Sequence, residues 1–108
     1  MSPKIRQLEL TGTRALQIIR EAAKDSARVF MTEHARSRMA LRKITTTQVL
    51  RCLRQGRLSE GPARDLAKGG WKCTVEHYTA GESVGVAVAI ESIQATGVTI
   101  ITVYHITD

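Results

Sequence analysis

A chain of 108 residues with 43% hydrophobic content carries enough apolar side chain for one modest core and too much for a disordered segment. No run approaches the roughly 18 consecutive apolar residues of a membrane-spanning helix, and the opening MSPKIRQLEL lacks the apolar stretch of a signal peptide, so a cytoplasmic protein with no membrane partner is expected. The net charge of +6 is unevenly held: residues 1–57 contain thirteen Lys and Arg against four acids, whereas residues 58–108 contain three against six. A basic N-terminal half favours a polyanion such as nucleic acid, although soluble helices also carry Lys and Arg for solubility alone.

In residues 13–24 the apolar set Ala15, Leu16, Ile18, Ile19, Ala22 and Ala23 recurs at helical spacing, with Thr11 or Thr13 placed to cap the helix. Residues 27–31 read as a short extended bridge. Thr32 then caps a second helix, and Glu33 complements its positive N-terminal end. Within TEHARSRMALRKI, residues 32–44, His34, Arg38 and Arg42 stand four apart and share one stripe, flanked by Ala35 and Met39 on one side and Leu41 on the other. The cations thus border the buried surface instead of lying opposite it. Further on, Thr45 and Gln48 have capping-box spacing, Val49, Leu50 and Leu53 form an apolar stripe, and Gly56 suits the end of a third helix.

After Gly56 the hydrophobic period shortens to that of strands: a weak one near Leu58, then residues 71–78, 83–90 and 98–106. Val84, Val86, Val88 and Ile90 alternate with Gly85, Ala87 and Ala89, giving one bulky face and one small enough for close approach. The bulky face should pack against Val49 and Leu53. Residues 57–70, with Gly61, Pro62, Gly69 and Gly70, read as a mobile loop. The expected fold is α+β, N-terminal helices packed on a C-terminal three- to four-stranded antiparallel sheet. It forms one compact domain, with residues 1–29 as an extension bearing an amphipathic helix and residues 30–108 as the main body.

The chemistry worth testing is metal-free RNA cleavage, which needs a base for the 2′-hydroxyl proton, cations to offset charge on the phosphorane, and an acid for the leaving 5′-oxygen. His34, beside the positive end of its helix, suits the base or acceptor role, and Arg38 and Arg42 can chelate phosphate in bidentate fashion. Tyr104 and His105 are the next candidates, one on each face of the last strand, so both cannot enter a single site. The bland reading stands beside this one: His34 hydrogen-bonds a loop carbonyl, and the arginines lay their stems over the core. Trp71 reads as a core anchor, and Cys52 and Cys73 as buried free thiols. His34, His77 and His105 are too widely separated to suggest a zinc site, and no cofactor motif is present, so neither metal nor cofactor is expected.

The string His34-Ala35, Arg38-Met39, Arg42, Ile44, followed by a capped helix ending near Gly56, a Trp-led strand and a closing ITVY at residues 101–104, resembles the bacterial domain of unknown function family 4258 over roughly residues 30–106. That family is similar in its order of elements to small RelE-like and BrnT-like toxins, ribonucleases of toxin–antitoxin modules, and related domains occur at the tips of bacterial secreted toxins. The resemblance therefore implies a RelE-like fold, RNA as substrate and an antitoxin partner; a dimer is expected only if a second copy covers the valine face of residues 84–90. The resemblance also favours Tyr104 over His105, because Tyr104 belongs to the resembling ITVY string and His105 lies just past it. A non-catalytic RNA-binding or protein-interaction module of the same fold is the alternative.

Overall fold

Residues 9–107 are described by the structure, a computed structural model; the reading of residues 1–8 as lacking a signal peptide lies outside them. Three α-helices form where their caps predict. In α1, Gly12–Ala23, it is Thr11 that caps, its hydroxyl accepting from the Arg14 N–H at 3.1 Å. A 3₁₀ turn, Ser26–Arg28, leads into β1, Val29–Met31. In α2, Glu33–Arg42, the Thr32 hydroxyl accepts from the Ala35 N–H, and the helix ends on Lys43 in the left-handed region, φ 55°. In α3, Thr46–Gln55, Thr45 and Gln48 make the reciprocal capping box, at 3.1 and 2.7 Å. Gly56 ends it where an added Cβ would come within 2.6–2.7 Å of the Cys52 and Glu76 carbonyl oxygens.

Four longer strands follow: β2, Arg57–Arg64; β3, Trp71–His77; β4, Val84–Ile90; and β5, Val98–His105. Together with β1 they form one five-stranded sheet in the order β1-β5-β4-β3-β2. The α+β class is as expected, but the sheet has five strands and is mixed, since β1 runs parallel to β5. Of the extended bridge expected over residues 27–31, the last three residues form β1, but three are too few to show a period and their partner lies far along the chain, so the parallel pairing is invisible to local pattern. The weak strand expected near Leu58 is β2, and it extends to Arg64 through the first part of the segment read as a mobile loop. Its polar residues, Gly61 and Pro62 hide any alternation, and it is an edge strand whose pairing with β3 shifts register twice, after Leu58 and after Glu60.

The two faces of the sheet have separate fates. Val84, Val86, Val88 and Ile90 pair with His105, Val103 and Ile100 on β5 and with Trp71, Cys73, Val75 and His77 on β3, so all of these share one side. The aliphatic members are buried beneath α1 and α3, with Val49 and Leu53 in the same core cluster, as the alternation predicts. A register shift opposite Ala87/Val88 adds Ile101 to β5 and keeps both Ile100 and Val103 on the core side. Burying β-branched surface contributes about 25 cal/mol per Å², so this face is the main source of stability. Five residues of α1 join the cluster, making the N-terminal helix integral to the core.

Helix α2 packs on β5 instead of over the sheet. Where β1 ends, the Thr32 hydroxyl donates to the Ile100 carbonyl at 2.9 Å, and α2 then runs beside the rest of β5. Ala35 is buried and Met39 packs against the core. The helix thereby shields the part of β5 beyond β1, whose free edge would otherwise invite pairing. No helix among the described residues is long and apolar enough to cross a membrane.

Candidate functional site

The second face of the sheet carries the small residues Gly85, Ala87 and Ala89, with Lys72, Thr74 and Glu76 from β3 and Thr99, Thr102 and Tyr104 from β5. No described helix packs over it. At one end lies a groove of about 670 Å³ with a floor of Ala89, Thr99 and Ile101. One wall is the start of α2, with Thr32 and His34; the other is the β2–β3 connection, with Asp65, Ala67, Lys68 and Gly69, and Lys72 beside it. Ala89, on the small side of β4, leaves room there that a bulkier residue would fill.

The Asp65 turn that makes the second wall is tied down. The Asp65 carboxylate accepts from the Ala67 and Lys68 N–H groups at 3.0 and 3.1 Å, and the Gly69 N–H reaches the Asp65 carbonyl at 2.8 Å. The Lys68 amide, then that of Ala67, holds the Asp65 carboxyl below its usual range, against the opposing effect of burial, with Lys72 and Lys68 adding to it. Lys72 Nζ stands 4.0 Å from Asp65 Oδ2 and is half exposed. A loose contact at that distance leaves the ammonium free to meet an anion in the groove.

His34, Arg38 and Arg42 start from one stripe but end in different places. Each four-residue step turns a helix by about 40° beyond a full circle, so the stripe drifts from the groove toward the buried flank of Ala35 and Met39. His34 faces the groove. Arg38, half-buried one turn on, points its Nε–H at His34 Nε2 across 3.4 Å, a long contact in which that ring nitrogen is the acceptor. Arg42 has turned inward, and its guanidinium donates to the Val103 carbonyl at 2.6 Å. His105 answers by donating from Nε2 to the Arg42 carbonyl at 2.7 Å, where a donor also satisfies the end of α2. Arg42 and His105 therefore clamp helix to strand.

Tyr104 shares the open face with the groove but sits at its other end. It pairs with Gly85, four residues from Ala89 along β4 and so roughly 13 Å away. Its ring lies directly on Gly85, and its hydroxyl donates to Glu76 Oε2 at 3.0 Å. Burial, then the Glu76 hydrogen bond and charge, pushes the phenol up to about 12, so it remains protonated and committed to that carboxylate. The structure thus brings His34 and Arg38 together and keeps Arg42 and Tyr104 apart from them.

The other candidates have plain structural roles. Trp71 is a core residue with the Arg64 guanidinium 4.8 Å over its ring. Cys52 and Cys73 are free and buried, and burial pushes their thiols up to about 12 and about 11. His77 borders a separate small hollow with Gln48, Arg51 and Glu82, so the three histidines do not converge. Among the described residues no group of three His, Cys, Asp or Glu side chains is placed to hold a metal ion. Lys68, Lys72 and Glu91 escaped the reading of the sequence. Alternation did carry a signal for Lys72, because the register of β3 on β4 sets it opposite Ala89 on the small face.

Arg36, Arg38, Lys43, Arg51 and Arg54 form no ion pair with any described residue; the four pairs present involve Lys24, Arg28, Arg64 and Lys72. Free cations therefore surround α2 and α3, while the groove itself mixes Lys68 and Lys72 with Asp65 and Glu91. No curated protein and no solved structure matches the chain. Residues 31–105, from the end of β1 to the last residue of β5, match the family model described as Domain of unknown function (DUF4258), and the chain belongs to that family.

Proposed function

We propose that the protein acts on RNA, as a metal-independent endoribonuclease with its site at the groove on the open sheet face. The observation that carries this reading is the placement of His34, a proton acceptor with its lone pair beside the Arg38 guanidinium, on the wall opposite Lys68 and Lys72. In this scheme Arg38 turns from His34 Nε2 to the phosphate, the freed Nε2 lone pair takes the 2′-hydroxyl proton, and the 2′-oxygen attacks the adjacent phosphorus. Arg38 and Lys72 offset charge on the phosphorane, the bond from phosphorus to the 5′-oxygen breaks, and that oxygen leaves protonated by water. The products are a 2′,3′-cyclic phosphate and a 5′-hydroxyl. Helices followed by a strand meander also fit the RelE-like toxin arrangement, and on that likeness an antitoxin partner and a cytoplasmic setting belong to the proposal.

One observation favours a second reading, RNA binding without cleavage: Arg42 and Tyr104, the other two parts expected of a catalytic set, are held by the Val103 carbonyl and by Glu76. Incubation of purified protein with single-stranded RNA, with analysis of product ends, separates the two. Cleavage leaving 2′,3′-cyclic phosphate ends, lost in His34→Ala while binding persists, supports the enzyme. Salt-sensitive binding with intact RNA in wild type supports the module. Binding of neither kind contradicts both.

A further inference from the structure

We propose that Phe30 is a base-stacking platform for single-stranded RNA, at the β1 end of the trough that His34 and Lys72 border. The inference rests on the RNA reading above and adds to it the form of the substrate and a second point of contact.

Phe30 is the only phenylalanine of an aromatic-poor chain, and it is 63% exposed. The strand period explains the direction: Val29 is buried and Met31 packs against the core, so Phe30 between them projects from the open face, in register with Thr99. A core demand does not place it there, and the two guanidinium–ring contacts among the described residues involve Tyr78 and Trp71 instead. Beside Phe30 lies a hollow of about 640 Å³ that also takes in Arg28. Ala89, Glu91 and Thr99 border both this hollow and the groove at His34, so the two are one continuous trough across the sheet.

The chemistry along that trough is graded. Arg28 marks one end, its ion pair with Asp25 long at 3.8 Å and half exposed; Lys68 and Lys72 mark the other. Glu91 lies between, where a carboxylate repels phosphate but accepts hydrogen bonds from exocyclic amino groups. A polyanion therefore keeps its phosphates on the cationic rim and turns its bases toward the small floor, where the Phe30 ring offers a π face. Only unpaired bases expose such faces, because a duplex buries them in its own stack. Four residues separate Phe30 from His34, at most about 14 Å of chain, so one short oligonucleotide reaches both.

The test measures binding of a fluorescently labelled single-stranded oligoribonucleotide, in parallel with an abasic oligonucleotide of equal charge, to wild type, Phe30→Ala and Phe30→Trp. Phe30→Ala is expected to weaken the base-bearing ligand by about 5- to 150-fold, the range of one base–aromatic stack, and to leave abasic binding unchanged. Phe30→Trp should retain affinity and show its emission quenched on RNA addition, against a Trp71 that is only 8% exposed. Wild type binding RNA while Phe30→Ala binds it equally well overturns the stacking role and leaves the RNA reading intact. No RNA binding by wild type overturns both. A wild-type dimer that becomes monomeric in Phe30→Ala overturns it too, assigning the ring to contact with a second copy.

Discussion

Replacing Gly85 with alanine tests how the far end of the open face is built. A Cβ at that position would lie 2.3 Å from Tyr104 Cζ and 2.6 Å from its hydroxyl oxygen, well inside contact distance. The backbone of β4 is fixed by pairing on both sides, so the tyrosine ring must swing away. It then gives up its hydrogen bond to Glu76, worth about 1.5–3 kcal/mol when the acceptor is charged, and part of its contact with the sheet. Alanine recovers about 0.4–1 kcal/mol by restricting the unfolded chain. The net expectation is a loss of about 2 kcal/mol, or roughly 9 °C in melting temperature for a domain of this length. Thermal unfolding followed by circular dichroism, on Gly85→Ala with and without Tyr104→Ala, reads it directly. In the Tyr104→Ala background the same glycine substitution should be neutral or slightly stabilising, because the clash is gone. Equal destabilisation in both backgrounds would refute the packing of Tyr104 on Gly85.

Three further outcomes are expected. Thr45→Ala removes half of the α3 capping box and should cost about 1 kcal/mol in chemical denaturation, with an unchanged dependence on denaturant. Arg42→Ala strips the Val103 carbonyl of its donor and should cost about 1–2 kcal/mol, whereas Arg38→Ala, whose partner is a distant His34 nitrogen, should leave stability unchanged and weaken RNA binding. Alkali should destabilise the fold in a defined window: Cys73, Cys52 and Tyr104 keep their protons in the folded state up to about 11, 12 and 12 but lose them earlier when unfolded. Their contribution is thus complete below about pH 9 and falls away between about pH 9 and 12. Melting temperature measured across that range should decline less steeply in Cys52→Ala and Cys73→Ala.

Features set by neighbours in sequence were legible before any coordinates. Thr32, the Thr45 and Gln48 pair and Gly56 mark helix ends because capping is a matter of three or four residues. Val84, Val86, Val88 and Ile90 announce a buried face because alternation needs no knowledge of partners. What failed to show depends on distant partners. Residues 27–31 read as extended and Leu58 as a weak strand, but the parallel pairing of β1 with Val98, Thr99 and Ile100 and the length of polar β2 along β3 are set by those distant partners. The same division runs through the site. Spacing placed His34, Arg38 and Arg42 on one stripe, yet the drift of that stripe carries Arg42 to the β5 backbone, and only the position of β5 turns that drift into a clamp. Phe30 enters through sheet register, a long-range property that composition and local spacing do not encode, and Lys72 through an alternation that only register sets opposite Ala89.

The central claim is that ligand binds in the trough of the open sheet face, and backbone amide shifts in an NMR titration with short single-stranded RNA test it most directly. The account predicts shifts clustered at Phe30, His34, Arg38, Lys68, Lys72, Ala89 and Thr99, diminishing as salt is raised. Shifts confined to the exposed surfaces of α1 and α3, with those seven amides unmoved, would contradict it.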